Sequence, residues 1–139
     1  MRRIPLDKLA AIGVVAPTRP LGRLERLQRW AEALERWPAE FLRPLRRVEL
    51  YAPAERAKLR TDQSPLSVAF ADPLLRAEGL EGDRLGDGRG FFGLNDRDMH
   101  ALVCDCRYGG RMRPRDVARR VRGLADRNPL RRFWARITL

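Results

Sequence analysis

The stretch LGRLERLQRWAEALERW, residues 21–37, decides the fold class. Leu24, Leu27, Trp30, Ala31, Leu34 and Trp37 recur at spacings of three and four, which places them on one broad face of an α-helix. Glu25 with Arg29 and Glu32 with Arg36 are i,i+4 pairs in the favourable order on the wet side, each worth about 0.2–0.5 kcal/mol. Pro38 ends the helix.

Downstream, Pro38, Pro44 and Pro53 cut the chain into short pieces, each proline suited to the first turn of a helix. Phe41, Leu42, Leu45, Val48 and Tyr51 read as core-facing, and VELY at 48–51 can instead be extended. Asp62 or Ser64 before Pro65, and Asp72 directly before Pro73, are start signals, which predict short helices over 65–71 and 73–78 with Gly79 as the stop. The glycine-rich run Glu81–Gly93, EGDRLGDGRGFFG, reads as a loop. It lacks the Gly-Lys-Ser/Thr ending of a phosphate-binding loop, the dinucleotide fingerprint and the acidic spacing of a calcium loop. Phe91 and Phe92 are expected to plug the core.

Asn95 is an N-cap with Asp98 three residues on, and Leu94 stands opposite Met99 as a hydrophobic staple. That helix is expected to bury Met99, Leu102, Val103 and Cys106 and to end near Arg107, where Tyr108-Gly109-Gly110 turns the chain. Pro114 opens the next helix with Asp116 in its first turn. There Val117, Val121 and Leu124 share one face and Arg115, Arg119 and Arg122 the opposite one. Asn128-Pro129 ends it and starts a last short helix to about Arg136. The N-terminal residues 1–20 read as a partly ordered arm with a short helix over 6–12. Residues 21–139 thus read as a single compact all-α domain of several mostly short helices.

A chain of 139 residues can bury roughly two-thirds of its unfolded surface without a staple. Its basic side chains are 27 Arg with only Lys8 and Lys58 beside them. A codon preference explains that residue type but not its location. Residues 1–106 hold 18 basic against 16 acidic side chains, and residues 107–139 hold 11 Arg against Asp116 and Asp126, so +9 of the +11 net charge lies at the C-terminal end. A concentrated positive field favours polyanions.

Two cysteines, Cys104 and Cys106, are too few for a secreted disulfide framework and fit a reducing cytoplasm. The run Leu9–Ala16 is short for a signal core, and no apolar run reaches the roughly 20 residues of a membrane span. His100, the only histidine, precedes Cys104 by four positions, which keeps a Cys-His pair geometrically open; it reads as a packed helix interface. On a continuous helix Cys104 and Cys106 diverge, so no metal and no cofactor is expected. No carboxylate pair stands out as an acid and a base, and the expectation is a non-catalytic protein.

Residues 104–125 run helix, turn, helix, and in outline this resembles a helix-turn-helix, although the turn from Arg107 to Arg113 exceeds the usual three or four residues. The stripe carries no Gln, Asn, Ser or Thr to read bases, so contact with the phosphate backbone is expected. The residues expected to make it are Arg107, Arg111, Arg113, Arg115, Arg119, Arg120, Arg122, Arg131 and Arg132. The implied role is regulatory or architectural binding of DNA or RNA; the alternative is a small helical adaptor that docks this face on an acidic protein. Helix 21–37 is expected to be available for homodimerisation.

Overall fold

The computed structural model describes residues 20–126. The expected N-terminal arm, the expected last helix, Arg131 and Arg132 lie outside these residues. Helix α1 (Arg23–Glu35) begins behind Gly22, whose N–H donates to Glu25 Oε1 at 3.4 Å. It is followed by α2 (Pro53–Arg56), α3 (Pro65–Ala71), α4 (Pro73–Ala77), α5 (Leu85–Phe92), α6 (Asp96–Val103) and α7 (Pro114–Asp126). Four of these seven helices start on a proline, where the missing N–H is one that a first turn leaves unpaired anyway. Side-chain caps sit where the sequence places them: Ser64 Oγ accepts from Ser67 N at 3.1 Å, Asp72 Oδ1 from Leu74 N at 3.4 Å and Asn95 Oδ1 from Asp98 N at 2.8 Å. Among the described residues there is no strand, only the isolated bridges Leu42 with Met112 and Leu45 with Cys104. The fold is all-α, and no described helix is long and apolar enough to cross a membrane.

The core is built on α1 and α7, which make the most extensive helix–helix contact. Leu27, Trp30, Ala31 and Leu34 of α1 and Val117, Ala118 and Val121 of α7 are fully buried. The apolar face of α1 is therefore covered within the protomer. Trp30 stacks on Phe92 with ring centroids 4.3 Å apart, and its Nε1 donates to Pro65 O at 2.9 Å, so the largest core side chain brings no unpaired polar atom inside. Arg29 forks onto buried Asp72 at 2.7 and 2.9 Å, which joins α1 to the α3–α4 junction and compensates the buried carboxylate.

Several expectations are corrected, among them that Phe41, Tyr51 and Cys106 face the core, for all three are exposed. The glycine-rich run is not a loop: its second half is α5, capped by Arg84 N donating to Asp87 Oδ2 at 3.3 Å. The glycines serve close approach there, because Gly86 N bonds Ala57 O at 2.9 Å and a side chain at Gly88 would collide with Leu66. VELY does not extend; Val48–Leu50 is a 3-10 turn. The helix after Asn95 stops at Val103, not near Arg107, because Leu45 N takes the Val103 carbonyl at 2.8 Å and Leu45 O accepts from Asp105 N at 3.3 Å. A separate 3-10 turn then spans Asp105–Arg107.

The two glycines of α5 should respond oppositely to alanine. Gly90 has open space around its Cβ position, so Gly90→Ala should stabilise by about 0.5–1 kcal/mol. Gly88→Ala overlaps buried Leu66 and should destabilise by about 1–3 kcal/mol. Urea midpoints at unchanged m-value read both.

Candidate nucleic-acid interface

On α7 the side chains of Val117, Ala118, Val121, Leu124 and Ala125 are buried, and at 100° per residue they span an arc of about 120°. The remaining surface divides by its angle to that arc. Arg122 lies at the edge facing α1 and forks onto Glu35, Nε to Oε2 at 3.0 Å and Nη2 to Oε1 at 2.5 Å. The guanidinium holds the Glu35 carboxyl below its ordinary pKa. Arg120 lies at the other edge, towards α6. Its Nη1 donates to Ala101 O at 3.2 Å, its Nη2 donates to Arg107 O at 2.7 Å, and the group sits 4.4 Å from the Tyr108 ring centroid. Tyr108 OH donates in turn to Leu102 O at 3.1 Å, and burial raises the phenol's pKa against the opposing pull of Arg120.

Arg119 lies near the middle of the outward face, and Arg115, one helical turn before it, lies on the α1 side, where it lines a shallow surface pocket with Glu35 and Glu40; both are exposed. Arg107 and Arg111, on the connection that leads into α7, are exposed as well. Among the described residues none of these four has an ion-pair partner. Arg113 is half-buried, its guanidinium 5.8 Å from the ring of partly exposed Phe41. Earlier in the chain Arg29, Arg36, Arg46, Arg56, Arg60 and Arg89 each stand against a carboxylate. Between Arg107 and Arg122 the only carboxylate is Asp116, half-buried in the first turn of α7.

The nine expected arginines thus fall into groups: four free and exposed, one half-buried, two anchored within the molecule, and two outside the described residues. The connection from α6 to α7 runs over residues 104–113 and contains its own 3-10 turn, longer than the three or four residues of a helix-turn-helix.

The same connection brings together side chains that a continuous helix would separate. Because Cys104 has left the helix (φ −84°, ψ 138°), its Sγ stands 3.0 Å from that of Cys106, which lies 3.7 Å from His100 Nε2. Cys104 is buried and Cys106 exposed. Burial, reinforced by the hydrogen bond from Cys106, pushes the Cys104 thiol up to about 11. His100 Nε2 also lies 3.2 Å from Glu49 Oε2, on the 3-10 turn 51 residues earlier. Only the CDC with its nearby histidine hinted at this group, and nothing marked Glu49.

No protein-family model, curated protein or solved structure matches the chain.

Anchored and free arginines should separate by stability. Arg120→Ala removes two hydrogen bonds to carbonyls and the stacking on Tyr108 and should cost about 1–2 kcal/mol. Arg119→Ala should stay within about 0.5 kcal/mol of the parent. Chemical denaturation of the two variants side by side measures the difference.

Proposed function

We propose that the protein is a non-catalytic nucleic-acid-binding protein that grips the phosphate backbone through Arg107, Arg111, Arg115 and Arg119. The observation that carries this reading is that these four guanidiniums are exposed and without an ion-pair partner within residues 107–119, where Asp116 is the only carboxylate, whereas Arg29, Arg36, Arg46, Arg56, Arg60 and Arg89 each stand against a carboxylate. An unpaired guanidinium in water can take a phosphate oxygen without first breaking an internal ion pair, and each such contact releases a condensed counterion. Arg113 beside Phe41 borders the same surface.

Residues 104–126 contain no Asn, Gln, Ser or Thr, so the surface favours positioning on the backbone over base readout. Arg120 and Arg122 support it indirectly by fixing the edges of α7. Self-association through residues 21–37 has little apolar face to work with, since Leu27, Trp30, Ala31 and Leu34 are occupied inside the protomer. The role that follows is architectural or regulatory binding by a single protomer.

Titration of the full chain with duplex DNA over a range of salt tests the reading. Four neutralised phosphates give a log–log slope of about −4. The double variant Arg115→Ala/Arg119→Ala should flatten that slope by about 2 and leave the fold intact. Absence of binding to DNA and RNA at low salt sinks the reading, and equal competition by polyglutamate of matched charge replaces it with an acidic protein partner.

A further inference from the structure

The group formed by His100, Cys104 and Cys106 is unrelated to the arginine surface in its chemistry. Three donor atoms of two kinds, an imidazole nitrogen and two thiol sulfurs, lie within 4.8 Å of one another. Two sulfurs alone would suit a disulfide; the nitrogen 3.7 Å from Cys106 Sγ is what a disulfide leaves unused.

We propose that Cys104, Cys106 and His100 form a binding site for a thiophilic divalent ion of the zinc class, with Glu49 as the neighbouring oxygen donor. Around a tetrahedral ion with Zn–S of about 2.3 Å and Zn–N of about 2.0 Å, sulfur–sulfur edges are about 3.8 Å and sulfur–nitrogen edges about 3.5 Å. The Cys106–His100 separation of 3.7 Å is close to that edge, the sulfurs, 3.0 Å apart, need to open by less than an ångström, and Cys104 and His100, within 4.8 Å, need to close by about an ångström. Glu49 Oε2, 3.2 Å from His100 Nε2, is close to the nitrogen–oxygen edge of about 3.3 Å that the same geometry gives. The Glu49 side chain is 58% exposed and free to turn from hydrogen-bond acceptor to ligand.

Charge raises no barrier, although the protein carries +11 overall. Two thiolates cancel the charge of a divalent ion, and the ion displaces the thiol protons as it binds. Access is through exposed Cys106, with buried Cys104 behind it. An ion there joins the 3-10 turn at Val48–Leu50, the last turn of α6 and the 3-10 turn at Asp105–Arg107. This is a closed, ordering site in character, since its ligands come from packed backbone on three segments.

Cobalt(II) titration of the reduced full-length protein, followed by zinc competition, tests the site. The expected result is one equivalent bound with a thiolate-to-cobalt charge-transfer band and tetrahedral d–d bands, displaced by zinc. Cys106→Ser and His100→Gln should each weaken binding by more than about 100-fold, and Glu49→Gln by about 10-fold, with circular dichroism unchanged. Cys106 and Glu49 are exposed, so those variants keep the test clear of misfolding. A missing charge-transfer band, or one that survives in both Cys106→Ser and His100→Gln, overturns the proposal; so does a reduced protein that binds no cobalt and reoxidises to a Cys104–Cys106 disulfide.

Discussion

The packing of α1 on α7 is the constraint from which the rest of the molecule follows. Once Leu27, Trp30, Ala31 and Leu34 are buried against the arc of Val117, Ala118, Val121, Leu124 and Ala125, the rotation of α7 about its axis is fixed. Every arginine on α7 then takes its role from its angle to that arc. The flanking residues meet neighbouring elements and become anchors, Arg122 on Glu35 and Arg120 on the Ala101 and Arg107 carbonyls. Arg115 and Arg119, between these edges, are exposed and have no ion-pair partner among the described residues. A cationic helix is therefore two things at once: a core element held by its edges and a surface left open along its middle.

A second constraint is the strap formed by residues 42–45. Leu42 N bonds Met112 O at 2.7 Å and Leu45 N bonds Val103 O at 2.8 Å, so one short segment holds both ends of the α6–α7 connection. It ends α6 early, turns Cys104 inward and leaves Arg107 and Arg111 on the outside. The same two hydrogen bonds thus shape the proposed phosphate surface and the proposed ion site. Tyr108, half-buried beneath Arg120 and bonded to Leu102 O at 3.1 Å, packs within the same connection.

What was legible in the sequence was what is local or periodic. The 3.6-residue pattern of α1 and α7 and the caps at Asp72 and Asn95 stand as read, and of the two candidates before Pro65 it is Ser64 that caps. Helix α5 was not legible, because a run with Gly86, Gly88 and Gly90 has turn composition. Its reason for being helical is distant: Ala57 and Leu66 approach too closely to admit side chains. The separation of anchored from free arginines was hidden for a similar reason, since the partner of Arg122 lies 87 residues away. The convergence of Cys104 and Cys106 depends on Leu45 taking the Val103 carbonyl, a contact no local pattern announces.

The central claim is that the arginines of this surface divide into anchors and free contacts. The most direct measurement is the arginine Nε–Hε spectrum of the full-length protein as duplex DNA is added at low salt. The account predicts that the signals of Arg107, Arg111, Arg115 and Arg119 shift together while those of Arg120 and Arg122 stay in place. Shifts of Arg120 and Arg122 along with the others, or no shift in any of the six, would contradict it.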